Sequence, residues 1–277
     1  MAQLRSPSPS LPDPADKFPS GPSVQGPIVR NAQGLPINPA MPNSSIVGKG
    51  KLYYWGANPT GDFLALRLPA DAKQNDLSEG HNLPVDKFRV ALIARGDTGR
   101  LAWPGGFCNL LSGDNDDDAK DQATTTSPPP PNQLRFEDGK TAALREFKEE
   151  ALSLTPEKPD WHTFDEELKR FSEVVYQGDI GDSRSTPNAW IETTAVLSVI
   201  TESLAKRMTL TAGDDAKDVQ WYTIGECLTM ARNAADQLKD VPAEEALRYG
   251  GAMVFHANHF MLLQKCIDWI EAKRRVL

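Results

Sequence analysis

The chain has 277 residues, 39% of them hydrophobic and 25% charged, an ordinary globular composition for one large domain with appendages. A net charge of −8 and a pI near 5.1 lack the basic footprint of bulk nucleic-acid binding, so a polyanionic ligand would need metal ions or local basic residues. No apolar run approaches the roughly 18 residues of a membrane helix, and three cysteines without metal-ligand spacing fit a reducing, cytoplasmic setting.

The start, MAQLRSPSPSLPDPADKFPSGPS, has no apolar core and little Arg, so neither a secretory nor a mitochondrial leader is expected. Residues 1–30, rich in Pro, Ser and Gly, predict a disordered or loosely draped arm. An N-terminal subdomain is expected over 31–86 and the main domain over 87–277. NPTGDFLALRLPA and KFRVALIARG show short apolar runs bounded by Gly and Pro, and the second, Lys87 to Arg95, is a strand candidate. GRLAWPGGF predicts a short strand ending in a Gly-Gly turn, where Gly105 and Gly106 would let backbone approach a phosphate or ribose closely.

From about 109 to 132 the chain turns acidic, then Thr-rich, then runs through four prolines, which predicts an exposed, mobile insertion. Its DNDDDAKD run lacks the Gly and Glu that a calcium loop needs at its sixth and twelfth positions. A helix follows over GKTAALREFKEEALSL, with Leu144, Phe147 and Ala151 as its apolar stripe. Glu146, Glu149 and Glu150 share the opposite face at i, i+3 and i+4. Carboxylates so close raise one another's pKa unless cations neutralise them, and such an oxygen cluster suits Mg²⁺, with Mn²⁺ able to substitute. Arg145 can pair with a neighbouring carboxylate and hold it in a ligating rotamer. A bare REFKEE would read as a solvated helix face laced with Lys140 and Lys148. With Glu137 seven residues ahead of Arg145, chance occurrence falls to the order of one in ten thousand.

Beyond the helix, FSEVVYQGDI, AWIETTAVLSVI and DVQWYTI predict strands. TIGECLTMARNAADQL and AMVFHANHFMLLQKCIDWIEAKRR each read as one helix, the latter with Phe255, His259, Leu262, Cys266 and Ile270 on its stripe. The order of elements predicts an α+β domain with a mixed sheet.

Glu137, Arg145, Glu146, Phe147, Glu149 and Glu150 resemble the Nudix box, G-x5-E-x7-R-E-U-x-E-E-x-G-U with U apolar. Thirty residues rather than five separate Gly106 from Glu137, and the late Gly is absent. Loops absorb such length at small entropic cost, roughly 0.6 kcal/mol per doubling. Three further segments are similar to the mitochondrial-type ADP-ribose pyrophosphatases and the homologous C-terminal domain of ADP-ribose-gated melastatin channels. They are GLPINP with VGKGKLYYWGANPTGD, GDIGDSRSTPNAWIETTAV and LTAGDDAKDVQW, and HANHFMLLQK extends the likeness to the last helix. The family's Arg-Thr-Gly is replaced by Asn43-Ser44-Ser45.

The resemblance implies a Nudix fold, a mixed sheet packed between helices, and Mg²⁺-dependent hydrolysis of ADP-ribose to AMP and ribose 5-phosphate. It implies catalysis through Arg145, Glu146, Glu149 and Glu150, with the three glutamates as metal ligands. Asp182 and Arg184 would contact the terminal ribose and phosphate region, while His256 and Asn258 match positions facing the nucleotide in channel-type relatives. Trp190 reads equally as core or ligand platform, and His259 as a packed histidine. Asp214 and Asp215 are candidates for the general base or an extra metal ligand, Asp215 first, with a turn or capping role as the alternative. The partner expected is ADP-ribose, without nucleic acid or a membrane segment. Competing readings are a non-catalytic ADP-ribose sensor, part of a larger channel protein, and a hydrolase of another nucleoside diphosphate.

Overall fold

The computed structural model describes residues 17–42, 47–72, 76, 83–111, 134–154, 160–213, 216–238 and 241–275. Its spine is a pair of long parallel strands, β1 (Gly56–Arg67) and β6 (Ala189–Val199), in register over eleven residue pairs. On one side β6 pairs antiparallel with β5 (Ser172–Asp179). On the other, β1 pairs antiparallel with β2 (Arg89–Arg95) and with β4 (Gly105–Phe107), while β2 carries β3 (Leu101–Ala102) and β7 (Ala216–Thr223).

The sheet is covered on both faces, and the alternation of β1 shows why. Leu64 and Leu66 point into a core shared with α4 (Ile224–Ala235) and α6 (His259–Arg275), where Cys227, Ala231, Leu262, Leu263, Cys266 and Ile270 are buried. Phe63 and Ala65 point into the other, with Leu144 of α1 (Gly139–Glu146), Phe147 and Ala151 beyond it, and Leu168 of α2 (Asp160–Arg170). Two-residue periodicity thus turns one strand into the floor of two cores. This is an α+β fold with a mixed sheet between helices. Among the described residues, no helix is long and apolar enough to cross a membrane.

Several elements depart from the sequence-based expectation. β1 is one long strand that runs through Pro59 and Gly61 and begins ahead of the apolar run FLALRL. Gly61 has to be there: a Cβ would overlap the Gly139 carbonyl oxygen and the Ala143 nitrogen, because α1 starts directly on the strand. The expected single C-terminal helix is two, α5 (Ala243–Val254) and α6, the first short helix α3 (Glu202–Arg207) lying earlier in the chain. The break comes where Phe255, fully buried, bridges to Leu101 of β3, and His256 N–H donates to the Leu101 carbonyl at 2.8 Å. Phe255, in extended geometry, ends α5, and Ala257 then takes a positive φ of 45° before α6 begins. The segment leaves helical geometry to join the sheet.

The interior of the insertion lies outside the described residues, but its base is built. Leu111 N–H donates to the Arg135 carbonyl and Glu137 N–H to that of Asn109, both at 2.9 Å, so the chain leaves and re-enters at one place. Residues 1–16 of the N-terminal stretch also lie outside the described residues. From 17 to 38 the chain is fastened to the sheet. Buried Glu192 of β6 accepts from Ser23 Oγ at 2.8 Å, Val24 N at 2.8 Å, Gln25 Nε2 at 2.9 Å and Trp190 Nε1 at 2.6 Å. Glu192→Ala is expected to lose roughly 1–3 kcal/mol, the penalty for stranding buried donors. Urea unfolding measures the loss, and limited proteolysis should show cleavage moving into residues 17–25. An unchanged midpoint with an intact N-terminal segment would refute the clamp.

Candidate active site

The site begins with a capped helix. Asp138 caps α1 through its side chain, accepting from Lys140 N at 2.8 Å and Thr141 N at 3.1 Å. The helix passes into a π turn at Phe147–Ala151, whose wider i→i+5 winding changes which side chains face the cleft. Three carbonyls of the turn and its entry are satisfied from outside: Lys148 by Leu154 N–H, Ala151 by Thr211 N–H and Glu150 by Gly213 N–H at 3.0 Å. Lys148, 2% exposed, anchors the turn's rear through a 2.5 Å ion pair with Asp165 of α2. Phe147 stacks on Phe63 of β1 at 4.5 Å.

Arg145 organises the front. Its guanidinium donates to Glu137 Oε1 at 2.5 Å, Glu146 Oε1 at 2.7 Å, Glu149 Oε2 at 3.1 Å and the Phe107 carbonyl at 3.0 Å. Three charges and the end of β4 are therefore set by one side chain. The carboxylates still carry the cost of burial. Desolvation raises Glu146 despite Arg145, and pushes Glu150 up to about 8 although Gly105 N–H donates to its Oε2 at 2.9 Å.

The Gly-Gly pair is not a turn; Gly105 and Gly106 lie within β4, opposite Asp62 and Gly61 of β1. Their missing side chains make room for the protein's own carboxylates. A Cβ on Gly106 would overlap the carboxylate of Glu146, and one on Gly105 would overlap Asp62 Oδ1.

Asp62, Gly105, Gly106, Glu146 and Glu150 line a cleft of about 280 Å³. Asp182, Arg184 and His256 line the same cleft. Arg184 forks onto Asp182 with Nε–Oδ1 at 2.9 Å and Nη2–Oδ2 at 2.8 Å, and its Cζ lies 5.5 Å from the Phe107 ring centroid. Burial opposes ionisation of Asp182, but His256 and the Arg184 fork outweigh it and hold the carboxyl well below the usual range. Beneath lies Asp62, which accepts from Thr193 Oγ1 at 2.5 Å and is raised by burial to about 6. His259 Nε2 stands 3.8 Å from Asp62 Oδ1. Its Nδ1 accepts from Trp103 N–H at 3.0 Å, so the neutral ring carries its proton on Nε2, and burial lowers its pKa to about 3.

The expected site residues divide accordingly. Gly105, Gly106, Glu146, Glu150, Asp182, Arg184 and His256 converge on the cleft. Arg145 and Glu149 stand beside it as a pair. Asn258 packs against Gly181 at the turn that carries Asp182. Trp190 does not reach the cleft: it is 1% exposed with its Nε1–H spent on Glu192, so the core alternative holds. Asp215 and its neighbour Asp214 lie outside the described residues. Thr60, Asp62, Arg95 and His259 line the cleft without having been singled out for it. Only His259 left a signal, as a polar residue on an apolar stripe.

Among the described residues, no three His, Cys, Asp or Glu side chains stand together as a formed metal cage. The donor chemistry nevertheless fits a hard divalent cation: Glu146 and Glu150 are all-oxygen donors that burial leaves short of positive charge. Glu149 is held beside them by Arg145. Gly106→Ala should displace Glu146 and lower turnover roughly tenfold or more, with a melting temperature within a few degrees of the parent. Full activity in that variant would show that the close approach is dispensable.

No protein-family profile matches the chain. It is 32% identical over 215 residues to the mitochondrial ADP-ribose pyrophosphatase of Rattus norvegicus, covering 74% of this chain and 53% of that protein. It is 28% identical over 189 residues to putative nudix hydrolase 6 of Caenorhabditis elegans, covering 68% and 56%. A third match, 29% over 199 residues, is to a transient receptor potential cation channel subfamily M member-like 2 of Nematostella vectensis, covering 69% of this chain and 11% of the channel. The chain thus spans about half the length of the two enzyme-named relatives. Over these spans, 68–74% of its length, the chain is similar to proteins named as a nudix hydrolase and an ADP-ribose pyrophosphatase.

Proposed function

We propose that the protein hydrolyses ADP-ribose to AMP and ribose 5-phosphate with Mg²⁺. The observation that carries the reading is the lining of the cleft. Buried carboxylates needing cations and an Arg–Asp fork suited to phosphate and ribose hydroxyls line the same cleft. The name of the rat relative supports the choice of substrate.

Glu146 and Glu150, with Glu149 beside them, would hold the metal. When bound, Mg²⁺ supplies charge neutralisation of the diphosphate and acidifies the attacking water. Arg145 keeps the carboxylates from swinging away, and Gly105 N–H fixes one oxygen of Glu150. Asp182 and Arg184 orient the far end of the substrate, so that the diphosphate lies across the glycine strand. Water adds across the P–O–P bridge: its oxygen joins one phosphorus, the bridging oxygen leaves with the other, and one proton must be accepted. Our candidate for the acceptor is Asp215. It comes two residues after Gly213, whose N–H donates to the carbonyl of Glu150.

The test is chromatography of products after incubating the protein with ADP-ribose and Mg²⁺. AMP and ribose 5-phosphate in equal amounts are expected. Tight binding without AMP would favour a sensor, and cleavage of another nucleoside diphosphate alone would overturn the substrate. Two variants should divide the kinetics. Glu150→Gln should retain the ligand and lose turnover by roughly a hundredfold or more. Arg184→Ala should raise KM more than it lowers kcat, by about 1.5–3 kcal/mol of lost binding. Equal effects on both constants in both variants would contradict this division of roles.

A further inference from the structure

The polar groups of the cleft account for phosphates and sugar hydroxyls, but a nucleotide also carries a flat aromatic ring. Most of the apolar lining has no surface to offer it. Trp103 is 1% exposed, Ile180 3% and Ile191 2%, all committed to the core. Among the large hydrophobic residues described, ten stand well exposed, and Tyr53 alone among them also lines the cleft. Its exposure is 64%.

The backbone beneath Tyr53 is fixed. Lys49 Nζ donates to the carbonyls of Leu52 at 3.0 Å and Tyr53 at 3.1 Å, closing the turn before it. Asn58 accepts from Tyr54 N–H at 3.0 Å and donates to the Tyr54 carbonyl at 2.8 Å, closing the turn after it. The ring itself meets Phe107 at 5.0 Å in a T-shaped contact, and Arg184 lies against the same Phe107. A large aromatic surface on a pinned backbone, open to solvent at a cleft mouth, loses little freedom on binding a planar ring.

We propose that Tyr53 is the platform on which the nucleobase of the substrate stacks, and that it sets the preference for a nucleotide over a bare sugar phosphate. The proposal rests on the reading of the cleft as a nucleoside-diphosphate site, and its test can fail separately. Tyr53 forms no part of the carboxylate cluster, and its solvent exposure means that its removal leaves no buried cavity.

The test is calorimetry on the full chain with Mg²⁺, using AMP and ribose 5-phosphate as separate probes. Stacking on one aromatic ring is worth ~1–3 kcal/mol, so Tyr53→Ala should weaken AMP by about fivefold or more. Ribose 5-phosphate, which has no base, should change by less than about twofold, a bound well under the stacking effect. Tyr53→Phe keeps the ring and should keep most of the AMP affinity. Circular dichroism should show the parent spectrum in both variants. AMP affinity unaffected by Tyr53→Ala, or both probes weakened alike, overturns the proposal, as does an AMP loss that Tyr53→Phe fails to rescue. Because AMP binding is read directly, these outcomes stand whether or not the parent cleaves ADP-ribose. An inactive parent whose AMP affinity still depends on the ring would overturn the hydrolase reading alone.

Discussion

Arg145 is the interaction on which the rest of the cleft depends. A single guanidinium ties the glutamate that precedes α1, two glutamates of the helix and π turn, and the last carbonyl of β4. Each bond is charge-assisted or closes a buried backbone group, so the set is stronger than neutral contacts of the same number. Arg145 also offsets part of the repulsion among Glu137, Glu146 and Glu149, which would otherwise push those side chains apart. Lysine could supply the charge, but not a planar fork reaching four acceptors at once.

This hub also explains how a long insertion is tolerated inside the motif. Glu137 receives Asn109 N–H at 2.8 Å as well as the Arg145 fork, and the two backbone bonds at the base hold both ends of the insertion. Strand end and helix start therefore keep their separation whatever lies between. The entropic cost of the extra length is met once, at a closed base. Packing on the rear of the turn completes the frame, through Lys148–Asp165 and the stack of Phe147 on Phe63.

Much of this was legible in the sequence because it rests on short-range pattern. The apolar stripe of Leu144, Phe147 and Ala151 is buried, and so are Phe255, Leu262, Cys266 and Ile270. The charged run of Arg145 to Glu150, with Glu137 ahead of it, also marked by its spacing the side chains that Arg145 draws together. What escaped was set by tertiary contacts. The split between α5 and α6 depends on a bridge from Phe255 to Leu101, which lies far away in sequence. Asp62 sits in a strand-like run and becomes a cleft residue only because Gly105 pairs opposite it. Gly105 and Gly106 read locally as a turn, yet their role is to admit two carboxylates. Trp190 could be read as core or platform until its indole N–H was found spent on Glu192.

The most direct measurement is Mn²⁺ affinity in Arg145→Lys, followed by calorimetry, beside the thermal melt of the same variant. If Arg145 sets the carboxylates, Mn²⁺ binding should weaken by roughly tenfold or more, the usual cost of losing a supporting contact to a metal ligand. The melting temperature should fall only a few degrees, because the cores on either side of the sheet do not include Arg145. Unchanged Mn²⁺ affinity in a folded Arg145→Lys protein would contradict the account.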